Sequence, residues 1–288
     1  MSYSFKHLFL LCFVLITSTL SITAATPFSQ SLLQDENIWG EGKAEYTIYD
    51  ATLLRYGIPR ESEVRHILVR EPFSSKSLVK ANNGKAAGTY NVLKLNQIIR
   101  VPTGSYRYDQ MHSSFWEIDT GDLLKFSLSS IDSCGNTYKQ GRLIENELHY
   151  QAFTYWEGMD EVDNKSHFPS NTLFYDELPW KLRTLNWEEI STFSAPLVPS
   201  TIHSKAHPIK SSSAQFTITS SETNRHVTVT HAKGVDILSF EKERPYRLVK
   251  WNMWDGGKLT LRSSVRIPYW ELNKPGDEQF LQSERYSK

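Results

Sequence analysis

Residues 43–71 read KAEYTIYDATLLRYGIPRESEVRHILVRE, and this stretch decides the architecture. Its first half alternates, with Ala44, Tyr46 and Ile48 on one side and Glu45, Thr47 and Tyr49 on the other. A period of two belongs to an extended strand, whose successive side chains point to opposite faces. Gly57-Ile58-Pro59-Arg60 supplies a turn, and residues 63–71, EVRHILVRE, form the returning strand. The unit is antiparallel.

The same rhythm continues in both directions. An Asn82-Asn83-Gly84 turn leads to strands predicted over 90–101, 106–118, 123–131 and 143–156, each rich in aromatic or branched residues and bounded by turn-formers. Residues 157–171, with Asp160, Glu161 and Asp163, read as an acidic loop. Residues 176–185, DELPWKLRTL, are the best helix candidate: Asp176 can cap, Pro179 fits the first turn, and Leu178, Leu182 and Leu185 share a face. A Ser-, Pro- and His-rich connector follows over 194–213. Five more strands are expected over 214–220, 226–231, 235–240, 246–254 and 258–266, with Asp255-Gly256-Gly257 as a hairpin turn. The predicted fold is mainly β: a large curved antiparallel sheet, open like a half-barrel or clam, with one or two short helices. The expected division is a signal peptide (1–25), a β-rich part (26–193), the connector (194–213) and a second β-rich part (214–288), preferably within one sheet.

The N-terminus points to export. Lys6 and His7 precede the apolar run LFLLCFVLI, and small residues surround Thr23-Ala24-Ala25, the three-part pattern of a cleavable signal peptide. That run is shorter than the roughly 20 apolar residues a bilayer span takes, so no transmembrane segment is expected after cleavage. The expected location is the periplasm or cell envelope. Lys plus Arg number 32 against 32 Asp plus Glu, which gives no electrostatic reason to expect nucleic acid as a partner. With Cys12 in the signal, Cys134 is the remaining cysteine. Next to Gly135 and after a strand, it is expected to be buried.

No stretch carries a strong catalytic signature. His203 and His207 stand at i, i+4, but Pro208 follows and no Glu completes a metalloprotease pattern, so they read as solvated loop residues. His226 and His231 are an odd number of positions apart on a strand and would face opposite sides. G-x-S-x-G is absent, and Ser77 to Lys80 matches S-x-x-K without the partner motifs. Asp160, Glu161 and Asp163 lack the glycine and terminal glutamate of a calcium loop. No catalytic residue, metal ligand or cofactor is assigned. The most distinctive stretch is 240–270, FEKERPYRLVKWNMWDGGKLTLRSSVRIPYW. Trp251, Trp254, Tyr269 and Trp270 crowd near one hairpin beside Arg247, either as an inward-packed sheet with snorkelling cations or as a ligand-lining surface.

The segments WGEGKAEYTIYDATLLRYGIPRESEVRHILVREPFSSK and NVLKLNQIIRVPTGSYRYDQM, the Ser133-Cys134-Gly135 step and the FEKERPYRLVKW…LTLRSSVRIPYW ending resemble a family of uncharacterised exported bacterial proteins. Some members carry the label "septum formation inhibitor"; this chain lacks the Ser-Pro-Arg-Arg-type segment of the cytosolic nucleotide pyrophosphatases that own that name. The C-terminal part is similar in style to periplasmic domains of unknown function with a clam-like half-barrel, as in bacterial lipoprotein carriers. Three functions remain open. The first is a non-enzymatic envelope protein that holds a lipid or other apolar ligand on an aromatic face, with Trp251, Trp254, Trp270, Tyr269 and Arg247 as candidate ligand-binding residues. The others are an envelope hydrolase with an unrecognised active site, and a structural protein whose aromatic face is covered by an envelope protein partner.

Overall fold

The computed structural model describes residues 26–281; the signal-peptide reading of residues 1–25 lies outside them. Strands β1 (Ala44–Arg55) and β2 (Ile58–Ser74) form the expected antiparallel pair, with Glu45 opposite Leu68 and Arg55 opposite Ile58. The chain reverses earlier than the Gly57–Arg60 turn foreseen. Tyr56 and Gly57 make the turn, both at positive φ (55° and 73°), which matches the twist of the flanking strands.

The meander runs on through β3 (Thr89–Pro102), β4 (Arg107–Glu117), β5 (Leu123–Ile131), β6 (Asn136–Ile144), β7 (Glu147–Thr154) and β8 (Glu161–His167), each antiparallel to the one before. Two elements correct the sequence reading. Residues 143–156 are not one strand, because the chain turns at Glu145 and Asn146, with φ of 51° and 66°. The acidic stretch is also more than a loop: Glu161, Asp163, Lys165 and His167 point to solvent from β8, where exposed and half-buried residues alternate. Charges there suit an edge strand, since they discourage pairing with another chain.

A second run begins at β9 (Leu173–Phe174), which lies parallel to β10 (Thr192–Val198). β11 (Ser212–Ser220), β12 (Asn224–His231), β13 (Gly234–Glu241), β14 (Leu248–Asn252) and β15 (Lys258–Ile267) follow, all antiparallel. β10 thus occupies the start of the stretch read as a connector. The Asp255–Gly257 turn joins β14 to β15, and β15 returns to pair with β1, Ala44 opposite Ile267. The result is one 15-stranded sheet, open at β8 and β9.

The sheet is curved, because residues from both runs meet in one buried cluster. Tyr49 and Val64 share it with Phe216, Val229, Leu238 and Trp251, which a flat sheet would hold far apart. The helical stretch fills the hollow. α1 (Glu36–Trp39) lies near its side, and α2 (Leu178–Lys181), flanked by 3-10 turns Tyr175–Glu177 and Leu182–Thr184, brings Leu178, Leu182 and Leu185 into the cluster. Asp176 does not cap this segment; its Oδ2 accepts from the Thr201 N–H at 2.7 Å and the Thr201 hydroxyl at 2.8 Å. The two ends of the sheet also approach each other: Phe126 of β5 and Tyr150 of β7 share a buried cluster with Phe174 of β9, Phe126 and Phe174 lying 5.5 Å apart between ring centres.

β1 is covered on both faces. Ala44, Tyr46 and Ile48 pack on the convex side with Ile67, Val69 and the C-terminal Tyr269. Glu45, Thr47 and Tyr49 lie buried on the concave side, where Glu45 holds the Arg183 guanidinium at 2.7 and 3.0 Å. Burial pushes the Glu45 carboxyl up, but the charge and hydrogen bonds of Arg183 outweigh it and hold the group below its ordinary range. The alternation in the sequence therefore marks two buried faces, one of them polar.

Cys134 is exposed, contrary to the burial expected of it. It sits outside the strands, in the β5–β6 turn, where its N–H donates to Asp132 Oδ1 at 2.7 Å. The neighbouring Gly135 is half-buried and close-packed against the Tyr155 ring: a Cβ there would meet Tyr155 Cγ at 2.5 Å. Cys134 in folded protein is expected to react fully with a maleimide in the absence of denaturant. Mass spectrometry checks this, and labelling that begins only on unfolding would contradict the exposed turn.

Candidate functional site

The concave core stops short of closing over one region. A cavity of about 340 Å³ remains between the β1–β4 side and the β10–β15 side. Leu53, Val64, Ile99, Leu197, Ile202 and Leu259 give it an aliphatic wall, to which Trp251, Met253 and Trp254 add aromatic and thioether surface. Its volume falls in the range of about 300–1,000 Å³ typical of small-molecule pockets, and so does its apolar lining with a few placed polar groups.

The polar groups come from strand ends and turns. Behind the lining lies Asp236 on β13, fully buried, which fixes the lining residues Tyr175, His231 and Trp251. Its Oδ1 accepts from the Tyr175 hydroxyl at 2.7 Å and from Trp251 Nε1 at 2.9 Å, and its Oδ2 faces His231 Nε2 at 2.6 Å. Burial, and then the neighbouring Asp236 charge, push the Tyr175 phenol up, so it stays a donor. His231 has no ring nitrogen left over for the cavity, because its Nδ1 accepts from the Lys233 N–H at 3.3 Å. The pair resembles half of a catalytic triad, yet every bond it makes orients the lining. Trp251 in particular is locked by its indole N–H.

A second buried polar group supports the lining from behind. Lys139 on β6 is fully buried and donates to the carbonyls of Thr201 (2.9 Å) and Lys205 (2.7 Å), with His203 Nδ1 at 3.2 Å. It tethers the loop that follows β10, from which Ser200, Ile202 and His203 line the cavity. Burial pushes the ammonium down to about 8. His203, expected to be a solvated loop residue, is instead partly buried, and burial followed by the Lys139 charge pushes it down to about 4. His207 lies 5.7 Å from it, ring centre to ring centre, and is exposed.

Of the five residues singled out by sequence, two meet in this cavity. Trp251 is 4 % exposed and forms part of its wall, and Trp254, 40 % exposed, stands at its mouth. The other three lie elsewhere. Tyr269 covers the convex face against Tyr46, at 5.9 Å. Trp270 packs edge-on against Tyr269 and is exposed. Arg247 is held bidentately by Glu241 at 2.8 and 3.0 Å. Proximity in sequence gathered them, but the β15 strand carries Tyr269 and Trp270 past the hairpin to the far surface. His226 and His231 do lie on opposite faces, His226 bonding Ser239 at 2.9 Å.

Sequence reasoning missed Asp236, Arg55 and Lys139. Asp236 left a trace: it is an acid in phase with Leu238 and Phe240, the inward positions of β13. Among the described residues no three of His, Cys, Asp and Glu are grouped as metal ligands, and no helix is long and apolar enough to cross a membrane.

No protein-family model matches the chain, and no curated protein matches it. The septum-formation label accordingly draws no support. Among solved structures, the chain is similar to a β-barrel-like protein of a domain of unknown function, DUF1849, from Brucella abortus. The two share 10% identity at a TM-score of 0.49, over 79% of this chain and 99% of the other.

Proposed function

We propose that this chain is an exported cell-envelope protein that binds a lipid or other apolar ligand in the cavity of its concave face. The observation carrying this reading is the cavity itself: about 340 Å³ of aliphatic and indole surface left uncovered beside a mouth marked by Trp254. Water in such a space forgoes hydrogen bonds, so an apolar chain replaces it favourably, at roughly 25 cal/mol per Å² of apolar surface removed from water. The hydrolase alternative gains little from the site, because the His231–Asp236 pair is bonded within the fold at both ring nitrogens.

The test fills the cavity. Leu53 and Ile202 are partly buried at its wall, so Leu53→Trp and Ile202→Trp put an indole where the ligand would lie. Each is expected to lower uptake of a fluorescent long-chain fatty acid at least about tenfold, with thermal unfolding little changed. Native mass spectrometry of protein purified from the periplasm is expected to show a co-purifying small molecule extractable into organic solvent. Ligand-free protein that takes up no fatty acid, or uptake indifferent to filling, would refute the proposal.

A further inference from the structure

A cation lining the cavity forms no ion pair among the described residues. Arg55 is the last residue of β1 and faces the cavity just before the Tyr56–Gly57 turn. Its guanidinium carbon lies 3.6 Å from the centre of the Tyr108 ring. Tyr108 is itself held in place, its hydroxyl 2.6 Å from that of Tyr56, which in turn lies 2.8 Å from that of Tyr106. Stacking fixes the plane of the guanidinium and leaves its edge as the hydrogen-bonding direction. Along that edge Nε and Nη2 are buried and have no hydrogen-bond partner among the described residues. The other ion-forming arginines of this face are paired: Arg183 with Glu45, and Arg247 with Glu241.

The carboxylates that share the lining are engaged elsewhere. Asp176 accepts both donors of Thr201 and lies 3.7 Å from buried His112. Asp255 is exposed in the β14–β15 turn, where its Oδ1 accepts from the Gly257 N–H at 2.9 Å. A buried donor pair on a fixed cation is costly unless acceptor oxygens meet it, and a planar fork matches an oxyacid best. Lys233 adds positive charge at the mouth, its Nζ 5.5 Å above the Trp254 ring.

We infer that the ligand is an amphiphile with an anionic oxyacid head, a carboxylate or a phosphate monoester. Arg55 receives the head while the apolar part lies against Leu53, Ile99, Trp251 and Met253. This rests on the binding function proposed above and adds to it a chemical requirement at one end of the cavity.

The test compares heads on one chain. A fluorescent long-chain fatty acid is displaced from the full mature protein by a saturated acid, by the primary alcohol of the same length, and by that alcohol's phosphate monoester. The wild type is expected to bind an acid-headed probe about 10- to 100-fold tighter than the alcohol, as loss of a charge-assisted pair implies. Raising salt should weaken the acids and leave the alcohol alone. Arg55→Gln should bring the acids down to the alcohol's affinity with the alcohol unchanged, and Arg55→Lys should fall between, having charge without the fork. Whichever of carboxylate and phosphate loses more in Arg55→Gln identifies the natural head. Equal binding of acid and alcohol by the wild type would overturn this inference and leave the binding function standing. Equal weakening of both by Arg55→Gln would reduce Arg55 to a packing residue, with the same consequence. Failure of every amphiphile to bind would remove both; the salt comparison needs no variant and decides the matter even where a variant misfolds.

Discussion

Replacing Arg183 with Met is expected to lower the unfolding free energy by about 3–5 kcal/mol, because it strands the buried Glu45 carboxylate without its cation. Both partners are almost fully buried, at 5% and 6% side-chain exposure. Arg183 also donates from Nε to the Pro245 carbonyl at 2.8 Å and lies over the Trp180 ring of its own helical stretch, so it joins that stretch both to β1 and to the connection between β13 and β14. The pH dependence should invert. In the wild type Glu45 sits below its ordinary range, so its contribution is present above that range and lost as pH falls through the lowered value. In Arg183→Met burial is opposed only by the more distant Arg247 and Arg266 charges, so the carboxyl is expected to rise and the folded state to bind its proton more readily than the unfolded chain. The variant's deficit should then shrink as pH falls from 7 toward 5. Changing both residues to Met should recover much of the loss, since a buried pair swapped for apolar side chains is often close to neutral. Urea unfolding at the two pH values measures each quantity. A single variant within about 1 kcal/mol of wild type would show that the pair holds nothing together.

A fall in stability on mild acidification is expected from three imidazoles buried in neutral form. His66 is pushed down to about 3, by burial and then by the Arg183 charge. His203 is pushed down to about 4, and His112 is also lowered, by burial first. Below their ordinary 6.5 the unfolded chain takes up protons that the folded one refuses, so stability is full above 6.5 and falls through the window beneath it. Each group contributes up to about 1.4 kcal/mol per pH unit within its window. Buried Glu177 opposes this, because burial raises its carboxyl and it protonates earlier when folded. The lowered Glu45 and Glu63 carboxyls lose stability in acid together with the three bases, so the net is a loss. His66 is the cleanest probe: its Nε2 has no hydrogen-bond partner among the described residues and its ring lies 4.8 Å from Tyr49. His66→Phe keeps the ring contact and should flatten the slope between pH 5.5 and 4 by up to about 1.4 kcal/mol per unit. An unchanged slope would place the acid response elsewhere.

The parts of the fold legible in sequence were those in which pattern and environment agree. β1, β2, β5 and the run β11–β15 announce themselves because branched and aromatic residues recur between turn-formers. β8 stayed hidden because an edge strand with one neighbour can be charged at alternate positions, and its composition then reads as loop. The Glu145–Asn146 turn was missed for a local reason: a glutamate at positive φ is uncommon, and no glycine flags it. The alternation places Glu45 and Thr47 together on one side of β1 without telling what covers it; the helical stretch, more than 130 residues away in sequence, buries that side. The cavity was half legible. Trp251 and Trp254 belong to a conspicuous local cluster, whereas Arg55, Asp236 and Lys139 acquire their roles from partners brought in by strand order.

Strand order carries a further consequence. Every ladder but one joins neighbours in sequence; the exception is the seam where β15 closes on β1. A chain emerging N-terminus first can zip each run locally, but the first strand waits, one edge bare, until the last has been delivered. Losing the final strand would therefore do more than shorten the protein. It would split a single surface into two fans, each with a raw margin, and remove the hollow enclosed between them.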